Sequence, residues 1–225
     1  MKNSERLNSI YLLGDIHGQF GEIKRACDKL NKKHGAANYT LVQLGDMGVG
    51  FGGAEKRNGI WIPNGQPPDD PESFPAQVKF IRGNHDNPEA CRKYPNYLGD
   101  YGFNEELGLF FISGAMSHDK QHRTEGLDWW ADEELSYAEL QECIDLYAKI
   151  KPDVVISHEP PVVAHQAIRK GKQVDSSRTS QALQAMWEIH RPKFWAFGHF
   201  HIIFEKKIEG TKFQCAAINQ VIPLK

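Results

Sequence analysis

Short apolar runs alternate with longer amphipathic segments in the first part of the chain. Residues 9–13 form one apolar run, bounded by Gly14, and residues 39–44 form another. Between them, residues 20–33 place apolar side chains on one helical face and basic side chains on the opposite face. This strand–helix–strand order predicts parallel strands joined by crossover helices, and therefore an α/β fold.

The same alternation continues toward the end of the chain. We predict strands at 77–81, 101–105, 109–112, 153–156 and 193–197, helices at 88–93, 136–149 and 180–190, and a final hairpin of 202–208 with 212–218. Ser136 is followed three residues later by Glu139, which is the pattern of a helix capping box.

A glycine- and proline-rich stretch at about 47–76 interrupts this order. Such a composition predicts a loop without regular elements. Long loops in compact domains are usually functional or disordered. We interpret the stretch as a lid or rim beside a site, with a disordered insertion as the alternative. Trp61, flanked by two isoleucines, favours packing against the domain.

The composition is that of an ordinary globular protein. The 225 residues, 40% hydrophobic and 25% charged, predict a single domain spanning 1–225. A formal charge of −2 does not indicate nucleic-acid binding, although it does not exclude a locally positive pocket. The four cysteines lack metal-binding or redox spacing and are expected to be free thiols.

The apolar runs are too short to cross a membrane, so no membrane partner is expected. The polar segment Met1–Asn8 has no apolar core of the kind found in signal peptides. We therefore expect a cytoplasmic location.

Five apolar runs end in side chains that can bind metal ions. These are Asp15 with His17, Asp46, Asn84 with His85, His158, and His199 with His201. Ligands of open α/β sheets gather beyond the carboxyl ends of the strands. In an extended backbone, residues i and i+2 point to the same side, so each pair can reach toward one point. The five strand ends together predict one shared site.

The donor atoms of this set indicate the metal chemistry. Carboxylate, amide and imidazole ligands without thiolate suit Mn, Fe, Zn or similar divalent ions. Two such ions can bind a phosphoryl group together and lower the pKa of a water molecule. That arrangement needs a bridging carboxylate, and Asp46 stands alone in its motif as the candidate.

At these residues the sequence resembles the calcineurin-like metallophosphoesterases. The matching motifs are Asp15-Ile16-His17, Gly45-Asp46, Gly83-Asn84-His85-Asp86, His158, and Gly198-His199-Phe200-His201, in the family order and over nearly the whole chain. The resemblance implies a two-layered β-sandwich flanked by helices. It also implies two divalent metal ions, with Mn²⁺ favoured and Fe, Zn, Ni or Mg as alternatives.

The resemblance also implies individual roles. One metal would be held by Asp15, His17, Asp46 and His201, and the other by Asp46, Asn84, His158 and His199. His85 would not be a ligand; it would donate a proton to the leaving oxygen or stabilise the transition state. Asp86 would orient His85. Adjacent side chains diverge, which agrees with His85 being free for acid–base work beside Asn84.

The chain departs from the family's protein phosphatases after Gly45-Asp46. Those enzymes carry an Asp-Arg pair there that contacts phosphate, whereas this chain continues Met47-Gly48-Val49-Gly50. Phosphate contact would need another cation, with Arg57, Lys120 and Arg123 as candidates. We therefore expect a small phosphomonoester or nucleotide, not a phosphoprotein, hydrolysed by a metal-bridging hydroxide.

Two other functions are considered. A phosphodiesterase or nuclease would need a basic or aromatic path for a strand, which the net charge does not indicate. A scaffold that retained the fold and lost the chemistry should have lost ligands, but every ligand position is intact.

Several aromatic residues lie outside the motifs. His34, His165 and His190 are predicted to be surface histidines, while His118 and His122 are left open between surface and substrate-facing positions. Trp129 and Trp130 are expected to pack in the fold and not to stack on bases.

Overall fold

Two β-sheets pack face to face and carry helices on their outer sides. The structure is a computed structural model and describes residues 9–36, 38–52, 54–57, 60–63, 74–172 and 176–224. The strands are β1 (Ser9–Leu13), β2 (Tyr39–Leu44), β3 (Ala54–Arg57), β4 (Ile60–Pro63), β5 (Val78–Ile81), β6 (Tyr101–Asn104), β7 (Leu109–Ile112), β8 (Val154–Ser157), β9 (Phe194–Phe197), β10 (Phe204–Ile208), β11 (Thr211–Cys215) and β12 (Val221–Pro223). The helices are α1 (Gly21–His34), α2 (Pro88–Cys91), α3 (Tyr137–Ile150), α4 (Val162–Ile168) and α5 (Arg178–Ile189).

The strand order makes both sheets mixed, with a parallel centre. The first sheet has the order β12-β1-β2-β5, in which β1, β2 and β5 are parallel. The second has the order β10-β11-β9-β8-β7-β6, in which β7, β8 and β9 are parallel. The predicted α/β class and two-layered sandwich flanked by helices are therefore confirmed.

Alternating side chains on the strands feed separate parts of the core. On β1, Leu12 packs between the sheets, whereas Leu13 packs outward with residues of α1. On β9, Ala196 faces the first sheet, and Trp195 faces the helical side with α3 and α5 residues. Because both faces are covered, these strands read as continuous apolar runs. Full burial of one large apolar side chain stabilises the fold by about 1.5–3 kcal/mol.

Helix α3 begins as its sequence predicts. The Ser136 hydroxyl accepts from the Glu139 N–H, and the Glu139 carboxylate accepts from the Ser136 N–H. These reciprocal bonds satisfy backbone donors that the first helical turn leaves free. The strand and helix bounds elsewhere agree with the predicted ones to within a few residues at the elements predicted.

Three features differ from the predictions. The stretch 47–76 was expected to lack regular elements, but it contains the antiparallel pair β3–β4. Helix α4 and strand β12 were not predicted at all. His165, predicted to be at the surface, is only 3% exposed because it lies on the inner face of α4.

Some predictions fall partly outside the described residues. Met1–Asn8 and residues 64–73 of the predicted lid lie outside, as do the side chains of Arg57 and Trp61, although β3 and β4 contain these two positions. The four cysteines are buried and free, as predicted. In the part of the chain that is described, every helix is too short or too polar to cross a membrane.

Candidate metal centre

The carboxyl ends of five strands meet at one edge of the sandwich. Strands β1, β2 and β5 of the first sheet end there, as do β8 and β9 of the second. The residues directly after them are those that the sequence singles out. The structure therefore brings together Asp15, His17, Asp46, Asn84, His85, His158, His199 and His201 from both layers.

One group of donors lies around His17. Asp15, His17, Asp46 and His201 each offer a ligand atom within 4.8 Å of the others. The Nε2 atoms of His17 and His201 are 2.9 Å apart, and His201 Nε2 lies 3.0 Å from Asp15 Oδ2. Convergent imidazole and carboxylate donors of this kind are suited to a divalent ion.

A second group shares Asp46 with the first. Asp46, His158 and His199 form it, and Asn84 adjoins it through Oδ1, which lies 3.1 Å from His199 Nδ1. One carboxylate common to two donor groups is the arrangement that a bridging ligand requires. The prediction that Asp46 bridges stays a prediction, but the geometry fits it.

His158 shows most directly that the site fits a cation. Its Nδ1 lies 2.8 Å from the Leu44 carbonyl oxygen, so Nδ1–H donates and Nε2 is left as an acceptor. Nε2 is buried, forms no hydrogen bond within the described residues, and lies 3.1 Å from Asp46 Oδ1. Two acceptor atoms at this distance need a shared proton or a cation between them.

The backbone at the site is unusual. His17, Asp46, His199 and His201 have positive φ, at 45°, 55°, 67° and 57°. Such conformations cost free energy in non-glycine residues and cluster at functional sites. They also correct one prediction: His199 and His201 are not extended, so their side chains separate toward the two donor groups instead of reaching one point.

Glycines next to the donors allow close approach. A Cβ at Gly83 would overlap the Asp46 carboxylate, and a Cβ at Gly198 would overlap the Asp15 carboxylate. The glycines preceding Asn84 and His199 are therefore steric requirements of the site.

Charges in the site favour ionised carboxylate. Burial alone would raise the pKa of Asp46, but nearby His158, His85 and His17 hold it well below its ordinary value. Burial and His158 lower the pKa of His199 well below its usual range. A carboxylate and a neutral imidazole are the forms that bind metals.

His85 is enclosed by aromatic and basic side chains. Its ring stacks on Phe51 at 4.7 Å between centroids and meets the His17 ring edge-on at 4.8 Å. Arg123 Nη2 lies 2.8 Å from His85 Nε2. Burial lowers the pKa of His85 to about 4; Asp46 opposes that shift, and Arg123 adds to it.

Asp86 does not take the predicted role of orienting His85. Its two carboxylate oxygens accept four backbone N–H groups, from Gly83, Met47, Gly48 and Val49, at 2.7–3.2 Å. Each oxygen receives two of these bonds. Asp86 therefore joins the loop after β2 to the loop after β5, which supply Asp46 and Asn84, and Phe51 and Arg123 hold the His85 ring instead.

Asn84 has a supporting chain that the sequence did not reveal. Its Nδ2 donates to Ser117 Oγ at 3.1 Å, and Ser117 Oγ donates to Glu133 Oε2 at 2.5 Å. All three residues are buried. With Nδ2 engaged, the amide oxygen of Asn84 is directed toward His199.

A cavity of about 280 Å³ opens onto the donors. It is lined by Asp46, Asn84, His85, His118, Asp119, Arg123, Arg169, His199, Phe200 and His201. Of the predicted phosphate contacts, Arg123 lines it, whereas exposed Lys120 does not. His118, left open by the sequence, lines it too. Arg169 was missed, because no motif surrounds it in the sequence.

A larger groove of about 630 Å³ lies elsewhere, between α4, α5 and the turn after β10. Its lining includes Gln166, Gln184, Trp187 and Arg191, and none of the metal-binding candidates. The smaller cavity is where the reactive groups converge.

Comparison with known families agrees with this geometry. The model of the calcineurin-like phosphoesterases matches residues 9–202, which is most of the chain. The chain belongs to this family. The family resemblance expected from the motifs is therefore confirmed. No curated protein matches the chain.

Three solved structures illustrate the likeness of this calcineurin-like phosphoesterase to known folds. A predicted phosphoesterase from Streptococcus pneumoniae is 12% identical, with 94% of this chain and 72% of that chain covered at a TM-score of 0.42. The protein TT1561 of Thermus thermophilus is 12% identical, with 93% and 89% covered at 0.49. Phosphopantetheinyl hydrolase from Mycobacterium tuberculosis is 12% identical, with 94% and 91% covered at 0.40.

Family membership supports a phosphoester hydrolase that uses divalent metals and acts on a phosphate ester. The donor groups that could hold such metals are those around His17 and His158.

Proposed function

We propose that this phosphoesterase hydrolyses a small phosphomonoester or nucleotide-type phosphate ester at a two-metal centre. The observation that carries the proposal is the pair of donor groups that share Asp46. Asp15, His17, Asp46 and His201 would hold one ion, and Asp46, Asn84, His158 and His199 the other. Mn²⁺ is the favoured metal for this oxygen- and nitrogen-rich set.

Two divalent ions bound there would supply Lewis acidity and a nucleophilic hydroxide at neutral pH. The residues of the chain would do the positioning. Arg123 lines the cavity and would contact a phosphate oxygen as an always-charged donor. His85 would protonate the leaving oxygen or stabilise its charge, since it lies in the cavity and is not part of either donor group.

The cavity supports a small substrate. Its volume of about 280 Å³ lies just below the range of typical small-molecule sites, which is about 300–1,000 Å³. The chain's formal charge of −2 gives no support to a long nucleic-acid path. A cytoplasmic location remains a prediction from the sequence.

The test compares His85→Ala, Asp46→Asn and an exposed control, His122→Ala. We expect His85→Ala to keep its metal and lose most turnover, Asp46→Asn to lose both, and His122→Ala to match the wild type. Metal content and hydrolysis of p-nitrophenyl phosphate are the readouts. Full activity in Asp46→Asn would overturn the proposal.

The same proteins separate the ester classes. Faster hydrolysis of p-nitrophenyl phosphate than of bis-p-nitrophenyl phosphate is expected for a monoesterase. The reverse order would assign a phosphodiesterase.

A further inference from the structure

The cavity has a second wall that the metal centre does not use. Besides the donors and His85, it is lined by His118, Asp119, Arg123, Arg169 and Phe200. These come from the segment after β7, from the end of α4 and from the segment after β9. A substrate whose phosphate lies at the metals would therefore extend toward these side chains.

Helix packing directs Arg169 into the cavity. Arg169 follows α4 directly, and its N–H donates to the His165 carbonyl at 3.0 Å. Residues four apart share a helix face, and His165 is buried with its ring 4.7 Å from that of Phe200. The face of α4 that bears Arg169 is thus fixed against the segment that carries His199 and His201.

The charge of Arg169 is not neutralised by a neighbour. Within the described ranges, no carboxylate forms an ion pair with its guanidinium. Arg123, in contrast, is paired with Asp119 at 2.8 Å. The other carboxylate that lines the cavity, Asp46, belongs to the donor groups. An unpaired arginine facing a cavity next to a phosphate site suits a second anion, because guanidinium binds phosphate and carboxylate in a bidentate manner.

We propose that Arg169 forms a second anion subsite, with His118 and Phe200 as its neighbouring walls. Its ligand would be a phosphate or carboxylate on the leaving part of the substrate. The inference rests on the proposed function and narrows its substrate to small esters that carry two anionic groups. The volume of about 280 Å³ admits the two anions on a short connecting chain, not on a polymer.

The test uses three non-hydrolysable phosphonates as inhibitors of p-nitrophenyl phosphate hydrolysis at saturating metal. Methylphosphonate carries one anionic group, phosphonoacetate adds a carboxylate, and methylenediphosphonate adds a second phosphonate. For the wild type, we expect at least one two-anion inhibitor to bind roughly tenfold more tightly than methylphosphonate, since a hydrogen-bonded charge pair contributes about 1.5–3 kcal/mol. Which one binds more tightly identifies the second anion.

Arg169→Met should abolish that advantage, while the affinity for methylphosphonate and the kcat for p-nitrophenyl phosphate change less than about twofold. Lys172→Met, an exposed change nearby, should keep it. An equal advantage in Arg169→Met and wild type, or equal affinity of the wild type for all three phosphonates, would overturn the subsite. Shifts of Tm by the phosphonates give a readout that needs no turnover. If no phosphate ester is hydrolysed, the proposed function fails, whereas the Tm shifts still report on the subsite.

Discussion

Nη2 of Arg123 lies 2.8 Å from Nε2 of His85. A guanidinium can only donate, so His85 Nε2 accepts and the imidazole is neutral with its proton on Nδ1. Proton donation from Nε2 to a leaving group would require Arg123 to turn away. An arriving phosphate offers Arg123 a stronger acceptor than an imidazole. Arg123 and His85 are therefore expected to separate when substrate binds.

Arg123→Met is the first prediction. It keeps an apolar stem over Phe51, where the guanidinium lies 5.7 Å from the ring centroid, and removes the charge. We expect kcat/KM for p-nitrophenyl phosphate to fall roughly 10- to 100-fold, because a charge-assisted hydrogen bond contributes about 1.5–3 kcal/mol. Metal content should not change.

Lys120→Met is the matched control, since Lys120 is exposed and lies outside the cavity lining. Its kcat/KM should stay within about twofold of the wild type. Equal losses in both variants would show that only long-range charge matters, and would contradict a direct phosphate contact by Arg123.

Ser117→Ala tests the chain that holds Asn84. The change removes the acceptor of Asn84 Nδ2 and leaves the buried Glu133 carboxylate with one fewer donor. Asn84 would then rotate more freely, and metal affinity should fall about 10- to 100-fold, as it does when such supporting partners of metal ligands are lost. Calorimetric titration with Mn²⁺ measures it.

Ser113→Ala controls for the loss of a buried hydroxyl. Ser113 Oγ donates to the Gly99 carbonyl and accepts from the Arg82 N–H, away from the donor groups. Both variants should lose some stability, but only Ser117→Ala should lose metal affinity. Unchanged metal affinity in Ser117→Ala would show that Asn84 needs no support from this hydroxyl.

Asp86→Asn tests the link between the two loops. Both Asp86 oxygens accept two backbone N–H groups, and an amide would turn an NH₂ group toward two of these donors. Leaving two buried donors unpaired should reduce the free energy of unfolding by about 2–5 kcal/mol. Urea denaturation measures this loss. Asp28→Asn, at an exposed position, should cost far less; equal effects would argue against the loop-joining role.

The strand ends were predictable because their pattern is local. An apolar run followed by a metal-capable side chain marks β1 and β9 without any knowledge of their neighbours. Helix α3 was equally local, since Ser136 and Glu139 cap it within one turn. The carboxyl edge then follows from topology, because parallel strands end on the same side.

The missed features depend on contacts that are distant in sequence. Helix α4 is short and opens with Val162 and Val163, whose β-branched side chains favour strands. His165 is buried by Phe200, and Asp86 accepts from residues 37–39 positions earlier. No local pattern reports such pairings. The positive φ values at the donors were equally hidden, since histidine and aspartate are not typical of that conformation.

The ion pair between Arg82 and Asp100 predicts how stability depends on pH. Arg82, 1% exposed, donates from Nε to Asp100 at 2.8 Å, and Arg92 and Tyr97 donate to the same carboxylate. Burial would raise the pKa of Asp100, but these donors hold it below its ordinary value. A depressed carboxyl pKa stabilises the fold at pH values above the unfolded pKa of about 3.9, and the contribution is lost as the pH falls through the folded value.

Asp100→Asn should therefore lower the free energy of unfolding by about 2–3 kcal/mol at pH 7, less than for a fully buried pair because Asp100 is partly exposed. The difference from the wild type should shrink as the pH falls below about 4, since the wild-type carboxyl then becomes neutral as well. Urea denaturation of both proteins at pH 7, 5 and 3 measures it. A difference that stays constant across this range would mean that Asp100 acts through packing and neutral hydrogen bonds, and not through its charge on Arg82.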